Sequence, residues 1–175
     1  GGATGAMLMV YVRPDRPEEN ATNLAFIRDC IADFAAQDLL LVVEILTYQL
    51  DDESDDAYRA AFPGLIAECA RISVVLGAKV LKLPYPGTAD GCAAVSAICG
   101  AVPWAVLSAG VDHAMFIGQV ETAMQNGASG VIAGRALWKD CISLDADVQR
   151  ERLESIASAR LKEIQGVLDR YAGRA

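Results

Sequence analysis

Histidine is nearly absent. His113 is the only one in 175 residues, which excludes a multi-histidine metal centre and most triads built on a histidine base. At the start of a predicted helix it reads as a partly exposed polar residue. Paired cysteines are missing too: Cys30, Cys69, Cys92, Cys99 and Cys141 are odd in number and scattered, with no Cys-x-x-Cys or zinc spacing. They read as free thiols of a reducing cytosol. Basic residues are outnumbered, with a net charge of −8 and a pI near 4.6, so a nucleic-acid partner is excluded. An anionic small substrate fits only a locally positive site. No apolar run reaches the roughly 18 residues of a membrane span, and no basic-then-apolar leader opens the sequence. The expected chain is soluble and cytoplasmic, without a membrane partner. Neither the glycine pattern of dinucleotide-binding folds nor a P-loop occurs.

What is present is an alternation of buried strands and amphipathic helices in one domain spanning residues 1–175, with 53% hydrophobic residues to fill a core. Ala6 to Val12 reads as a strand buried on both faces, closed by Arg13-Pro14-Asp15. A helix over Ala21 to Ala36 follows, with Asn20 as its cap. Leu39 to Thr47 is a second buried strand, interrupted by Glu44. Asp51 to Asp56 holds five carboxylates and a serine; without a glycine turn it fits a calcium loop poorly and reads as solvated. Pro63 suits the first turn of a helix running to Gly77. Then come the strand around Lys82, a helix from Ala89 to Cys99, a strand from Trp104 to Ser108 and a helix from Val111 to Gln125. The last strand is Gly130 to Ala133, a short helix opens at Gly134-Arg135, and a long charged helix occupies Asp145 to Tyr171.

Five strand–helix repeats call for a parallel sheet covered by helices. The (β/α)8 barrel is favoured over a doubly wound sheet because Glu44, Lys82, Ser108 and Gly134-Arg135 all fall at strand ends, where barrel enzymes carry their chemistry. Eight strands and about 250 residues are usual for that fold, so the expectation is an α/β chain representing the C-terminal five βα units of a barrel, with the first three strands missing. Two open sheet edges would then favour a homo-oligomer.

Lys82 is the residue most in need of explanation. In Lys79-Val80-Leu81-Lys82-Leu83-Pro84 strand parity sets it with Val80 and opposite Leu81 and Leu83, whereas Lys79 sits at the strand's wet start. Moving an ammonium out of water is costly, so a lysine in a dry strand is either paired or has a chemical task. An ordinary lysine exposes a neutral amine in only about one molecule in 2,500 at pH 7; discriminating against the charged form by about 4–5 kcal/mol makes it a nucleophile toward carbonyls. Glu44 is the candidate proton-transfer partner. A plain salt bridge between the two is the alternative, left open by spacing alone. Ser108-Ala109-Gly110 and Gly134-Arg135 end adjacent strands in small residues that open into helices, an arrangement suited to an anion, with a guanidinium to grip it. Tyr85, past the lysine strand, is a weaker candidate for a hydrogen bond to substrate. Trp104 and Trp138 read as residues packing helices on the sheet.

Three stretches carry a family resemblance: Val80-Leu81-Lys82-Leu83-Pro84, Pro103-Trp104-Ala105-Val106-Leu107-Ser108-Ala109-Gly110-Val111, and Ala128-Ser129-Gly130-Val131-Ile132-Ala133-Gly134-Arg135-Ala136-Leu137-Trp138. From about Gly2 to Tyr171 the chain resembles the class I tagatose-1,6-bisphosphate and sulfofructosephosphate aldolases, of the DeoC/LacD type. The resemblance implies a (β/α)8 barrel, no cofactor and no metal. It implies a lyase of carbohydrate metabolism that cleaves a ketose 1-phosphate, such as tagatose 1,6-bisphosphate or 6-deoxy-6-sulfofructose 1-phosphate, to dihydroxyacetone phosphate and an aldehyde. On it Lys82 matches the Schiff-base lysine and Glu44 the acidic residue of the preceding strand. Ser108, Ala109, Gly110, Gly134 and Arg135 match the turns that hold the phosphosugar's anion. The family's fourth strand carries a lysine where this chain has Met7. A deoxyribose-phosphate-type aldolase and a non-catalytic phosphosugar-binding barrel remnant are the competing readings.

Overall fold

A computed structural model describes residues 2–171. Five parallel strands lie in chain order: β1 (Gly5–Tyr11), β2 (Leu40–Leu46), β3 (Val80–Pro84), β4 (Trp104–Leu107) and β5 (Gly130–Ile132). Between them run the helices α1 (Ala21–Ala36), α2 (Asp55–Val75), α3 (Ala89–Cys99) and α4 (His113–Gln125). After β5 come α5 (Arg135–Trp138), α6 (Ala146–Arg152), a π-helical turn (Leu153–Ala157) and α7 (Ser158–Tyr171). The architecture is that of consecutive βα units of a barrel. No helix among the described residues is long and apolar enough to cross a membrane.

The outward side of the sheet packs on the helices. Val43, Leu81, Leu83, Trp104 and Val106 are buried there with Ile66, Cys69, Val95, Phe116 and Val120. Trp104 donates its Nε1–H to Ser96 Oγ of α3 at 2.9 Å, so it does pack a helix on the sheet. The other side faces an open cleft, and this alters the expectation for β1. It is not buried on both faces: Leu8 and Val10 turn to the core, but Met7, Met9 and Tyr11 are each 51% exposed. β1 pairs only with β2 among the described residues, and its cleft-facing side chains stay half exposed, Met7 touching Lys82.

Several boundaries also differ from the sequence reading. α2 begins eight residues before Pro63, because Ser54 Oγ accepts from Ala57 N–H and Asp55 and Asp56 occupy the first turn, where the helix dipole favours them. Pro63 therefore lies inside the helix and forfeits one backbone hydrogen bond. Two of the six residues of the acidic stretch, Asp55 and Asp56, are thus helix rather than loop, and both remain exposed. Asn20 does not cap α1 through its side chain; its amide is spent on the backbone N–H and carbonyl of Arg13 and on the carbonyl of Arg16. α4 starts at His113 rather than Val111, capped by Asp112, whose Oδ1 accepts from Met115 N–H at 2.8 Å. The long C-terminal helix is broken by the π-helical turn, which takes up an extra residue and shifts the helical phase. As a result Ile164 and Val167 are buried, whereas Ile156 and Leu161 face outward.

Candidate active site

Register builds the site. Met9 pairs with Glu44, and Glu44 and Lys82 are the residues that follow the paired Val43 and Leu81. Lys82 pairs with Ala105, and Ala105 with Gly130. Partners in a parallel sheet share a face, so one layer across the cleft floor reads Met9, Glu44, Lys82, Ala105, Gly130. The two small residues beside the lysine leave room above β4 and β5.

A cleft of about 830 Å³ opens over this layer at the C-terminal strand ends. It brings together all seven residues singled out from the sequence: Lys82, Glu44, Ser108, Ala109, Gly110, Gly134 and Arg135. Lys82 Nζ donates to Glu44 Oε2 at 2.8 Å and lies 3.5 Å from Met7 Sδ. Glu44 is 4% exposed, so the pair is nearly shut off from water, although both side chains line the cleft. Of the residues given packing or secondary roles above, Trp138 is 40% exposed and lines the cleft rather than packing a helix on the sheet. Tyr85 packs partly buried against the core and is not among the cleft-lining residues.

The segment after β4 forms a turn of its own rather than the first turn of a helix. Val111 N–H donates to the Ser108 carbonyl at 3.1 Å, and the two residues between them have positive φ, +47° at Ala109 and +77° at Gly110. Left-handed geometry suits glycine and is uncommon for alanine. The N–H groups of Ala109 and Gly110 have no partner among the described residues. Such unspent, neighbouring amides form concavities that suit an anion. The second turn lies against the first: a Cβ placed on Gly110 would stand 3.4 Å from Cζ of Arg135. Arg135 has no carboxylate partner among the described residues. An uncommitted guanidinium above free amides is an electropositive end in a chain that is acidic overall.

The platform beneath is fixed by ion pairs. Arg160 of α7 holds Asp140 with two hydrogen bonds of 2.6 and 2.7 Å and also donates to the Leu137 carbonyl. That guanidinium pulls the Asp140 carboxyl down to about 2. On the β1–β2 side, Arg13 is 2% exposed and binds Asp15, Glu53 and the Tyr48 carbonyl. Neither Arg13 nor Glu53 was marked by the sequence reading as more than a strand stop and a loop acid. The signal available was an arginine directly after an apolar strand, a place where a charge is buried only if partners meet it.

Comparison with known proteins places these features in context. Residues 1–140 match the model of the DeoC/LacD family aldolases. A tagatose 1,6-diphosphate aldolase of Listeria monocytogenes serotype 4a is 29% identical over 200 aligned residues, taking in 98% of this chain and 59% of the relative. A solved fructose-bisphosphate aldolase from Slackia heliotrinireducens superposes with a TM-score of 0.65 at 22% identity, over 93% of this chain and 53% of that one. An archaeal fructose-1,6-bisphosphate aldolase, solved with its catalytic lysine covalently bound to the carbinolamine intermediate, gives 0.65 at 24% identity, over 93% and 59%. The chain therefore spans about three fifths of the length of the curated relative it matches.

Proposed function

The chain belongs to the DeoC/LacD aldolase family, and from that premise we propose that it carries the lysine half of a class I, Schiff-base aldolase acting on a ketose 1-phosphate. The observation that carries this reading is Lys82: an amine on a cleft floor, 2.8 Å from one carboxylate, in the cleft that also holds two anion-suited turns.

In the proposed reaction a proton leaves the Lys82 ammonium for Glu44, the acceptor within reach. The free amine attacks the substrate's C2 carbonyl to give a carbinolamine, which loses water to form an iminium. Removal of the C4 hydroxyl proton then breaks the C3–C4 bond, and its electron pair flows into the iminium to give an enamine. The aldehyde leaves. Protonation at C3 and addition of water release dihydroxyacetone phosphate and restore the amine. Throughout, the C1 phosphate is held by the Ala109 and Gly110 amides and by Arg135, which fixes C2 above the lysine. The substrates proposed on the family resemblance are tagatose 1,6-bisphosphate, for which the Listeria monocytogenes relative is named, and 6-deoxy-6-sulfofructose 1-phosphate.

Incubation with dihydroxyacetone phosphate and borohydride tests the reading. The reduced adduct's mass is expected on the peptide bearing Lys82, and its absence from folded protein would overturn the lysine's role. Turnover of 2-deoxyribose 5-phosphate in preference to a ketose bisphosphate would move the chain to the deoxyribose-phosphate type. One observation favours a binding-only reading: opposite Glu44, the β1 side chain beside Lys82 is the thioether of Met7, which serves as neither acid nor base. Phosphosugar binding without adduct formation would support it.

A further inference from the structure

Lys139 was not marked by the sequence and does not line the cleft, yet its Nζ donates to the carbonyl of Gly110 at 2.5 Å. It makes no other side-chain hydrogen bond and no ion pair among the described residues. Lys139 is four residues after Arg135, and its own N–H bonds the Arg135 carbonyl at 2.9 Å. The cation that opens α5 and the one that caps its end therefore converge on one residue, Arg135 over the Cα of Gly110 and Lys139 on its carbonyl.

We infer that Lys139 is a positioning residue for the anion turn, and that it acts by holding the Gly110–Val111 peptide in one orientation. Gly110 sits at φ +77° without a Cβ, so apart from the 3.1 Å bond from Val111 N–H to the Ser108 carbonyl, rotation of that peptide meets little steric resistance. Rotation would swing a carbonyl oxygen toward the place where the Ala109 and Gly110 amides present hydrogens, and a carbonyl facing an anion repels it. The ammonium prevents this by engaging the oxygen from the far side through a charge-assisted bond. Because no carboxylate among the described residues neutralises it, Lys139 also adds a second positive charge behind Arg135. A doubly charged phosphate gains more from that than a singly charged sulfonate does.

The inference rests on the anion-site reading above, and the test separates the two. Titrations of the full chain with inorganic phosphate at pH 8, and with methanesulfonate, would be compared for the parent, Lys139→Met and Lys139→Arg. Loss of the exposed Lys139 side chain is expected to weaken phosphate binding by about tenfold, equivalent to 1.4 kcal/mol. Methanesulfonate binding is expected to fall less. Lys139→Arg should recover most of the phosphate affinity, and thermal midpoints should coincide. At saturating dihydroxyacetone phosphate, borohydride trapping of Lys82 should match the parent, so that the loss lies in affinity alone. Parent-like phosphate binding by Lys139→Met overturns the inference and leaves the anion site standing. Equal losses in the Met and Arg variants also overturn it. A parent that binds no phosphate overturns both.

Discussion

The guanidinium of Arg13, at the end of β1, and the carboxylate of Glu53, 40 positions later, meet with two hydrogen bonds of 2.6 and 2.8 Å. The same guanidinium holds Asp15 and the Tyr48 carbonyl and lies 5.7 Å from the Tyr58 ring centroid. It thereby ties the loops after β1 and β2 together on the side of the sheet where Glu44 opens into the cleft.

Replacing Arg13 with methionine removes the cation from two carboxylates that were folded around it. A destabilisation of about 3 kcal/mol is expected, read as a lower urea midpoint. Arg13→Lys should recover only part of it, because one ammonium cannot reproduce the two-pronged contacts.

Lys82→Met should abolish the borohydride-trapped adduct in folded protein, and its thermal midpoint should fall, because the buried Glu44 carboxylate loses its cation. Glu44→Gln should leave the lysine available but slow adduct formation by roughly 10²–10⁴-fold, the range for loss of a proton-transfer group. Trapping at the parent rate in Glu44→Gln would remove Glu44 from the mechanism.

Acid should unfold the chain over a defined window. Arg160 brings Asp140 down to about 2, and Arg13 lowers both Asp15 and Glu53. For a carboxyl depressed in the native state, the stabilisation is complete above its unfolded value of about 4. It is lost as pH falls toward the native value. Urea midpoints should therefore drop between pH 4 and pH 2, and Asp140→Asn should flatten part of that slope. A constant midpoint across this range would contradict the ion-pair assignment.

Burial pushes the Cys69 thiol up to about 12 and those of Cys92 and Cys99 up to about 11. Thiolate is the reactive form, so these three should resist iodoacetamide at pH 8 in the native protein and become alkylated only on unfolding. Peptide mapping after native labelling checks this, and rapid modification of Cys69 would mean that α2 opens from the sheet.

Met7, Met9 and Tyr11 present half their surface to the cleft on a strand whose outer edge is unpaired among the described residues. Unpaired edges template association. Sedimentation of the full chain should show oligomers that Met9→Lys with Tyr11→Lys disperses; a monodisperse, cooperatively unfolding monomer would contradict this.

Much of the site's location was legible because strand parity and strand ends are local properties. Lys82 could be separated from Lys79 by counting, and Ser108 and Gly134 by where apolar runs stop. What escaped was long-range or depended on competition between local signals. Nothing near Arg13 announces Glu53, and nothing near Gly110 announces Lys139. Pro63 looked like a helix start because the stronger start, Ser54 with two aspartates behind it, was read as part of a solvated acidic loop. The turn at Ala109-Gly110 looked like a helix N-terminus because Asp112, the real cap, stands only two residues further on. β1 looked buried because an apolar run does not say whether a neighbouring strand is there to cover it.

The strand order β1-β2-β3-β4-β5 has a genetic consequence. Among the described residues each strand bonds only to its neighbours in chain order, so none of these units is inserted between two others or threaded back. A duplication, fusion or loss at either end therefore changes how far the sheet has travelled around its circle without rewiring any existing pair. Recombination can lengthen or shorten such a chain one βα unit at a time while the floor that joins Glu44 to Lys82 is inherited intact.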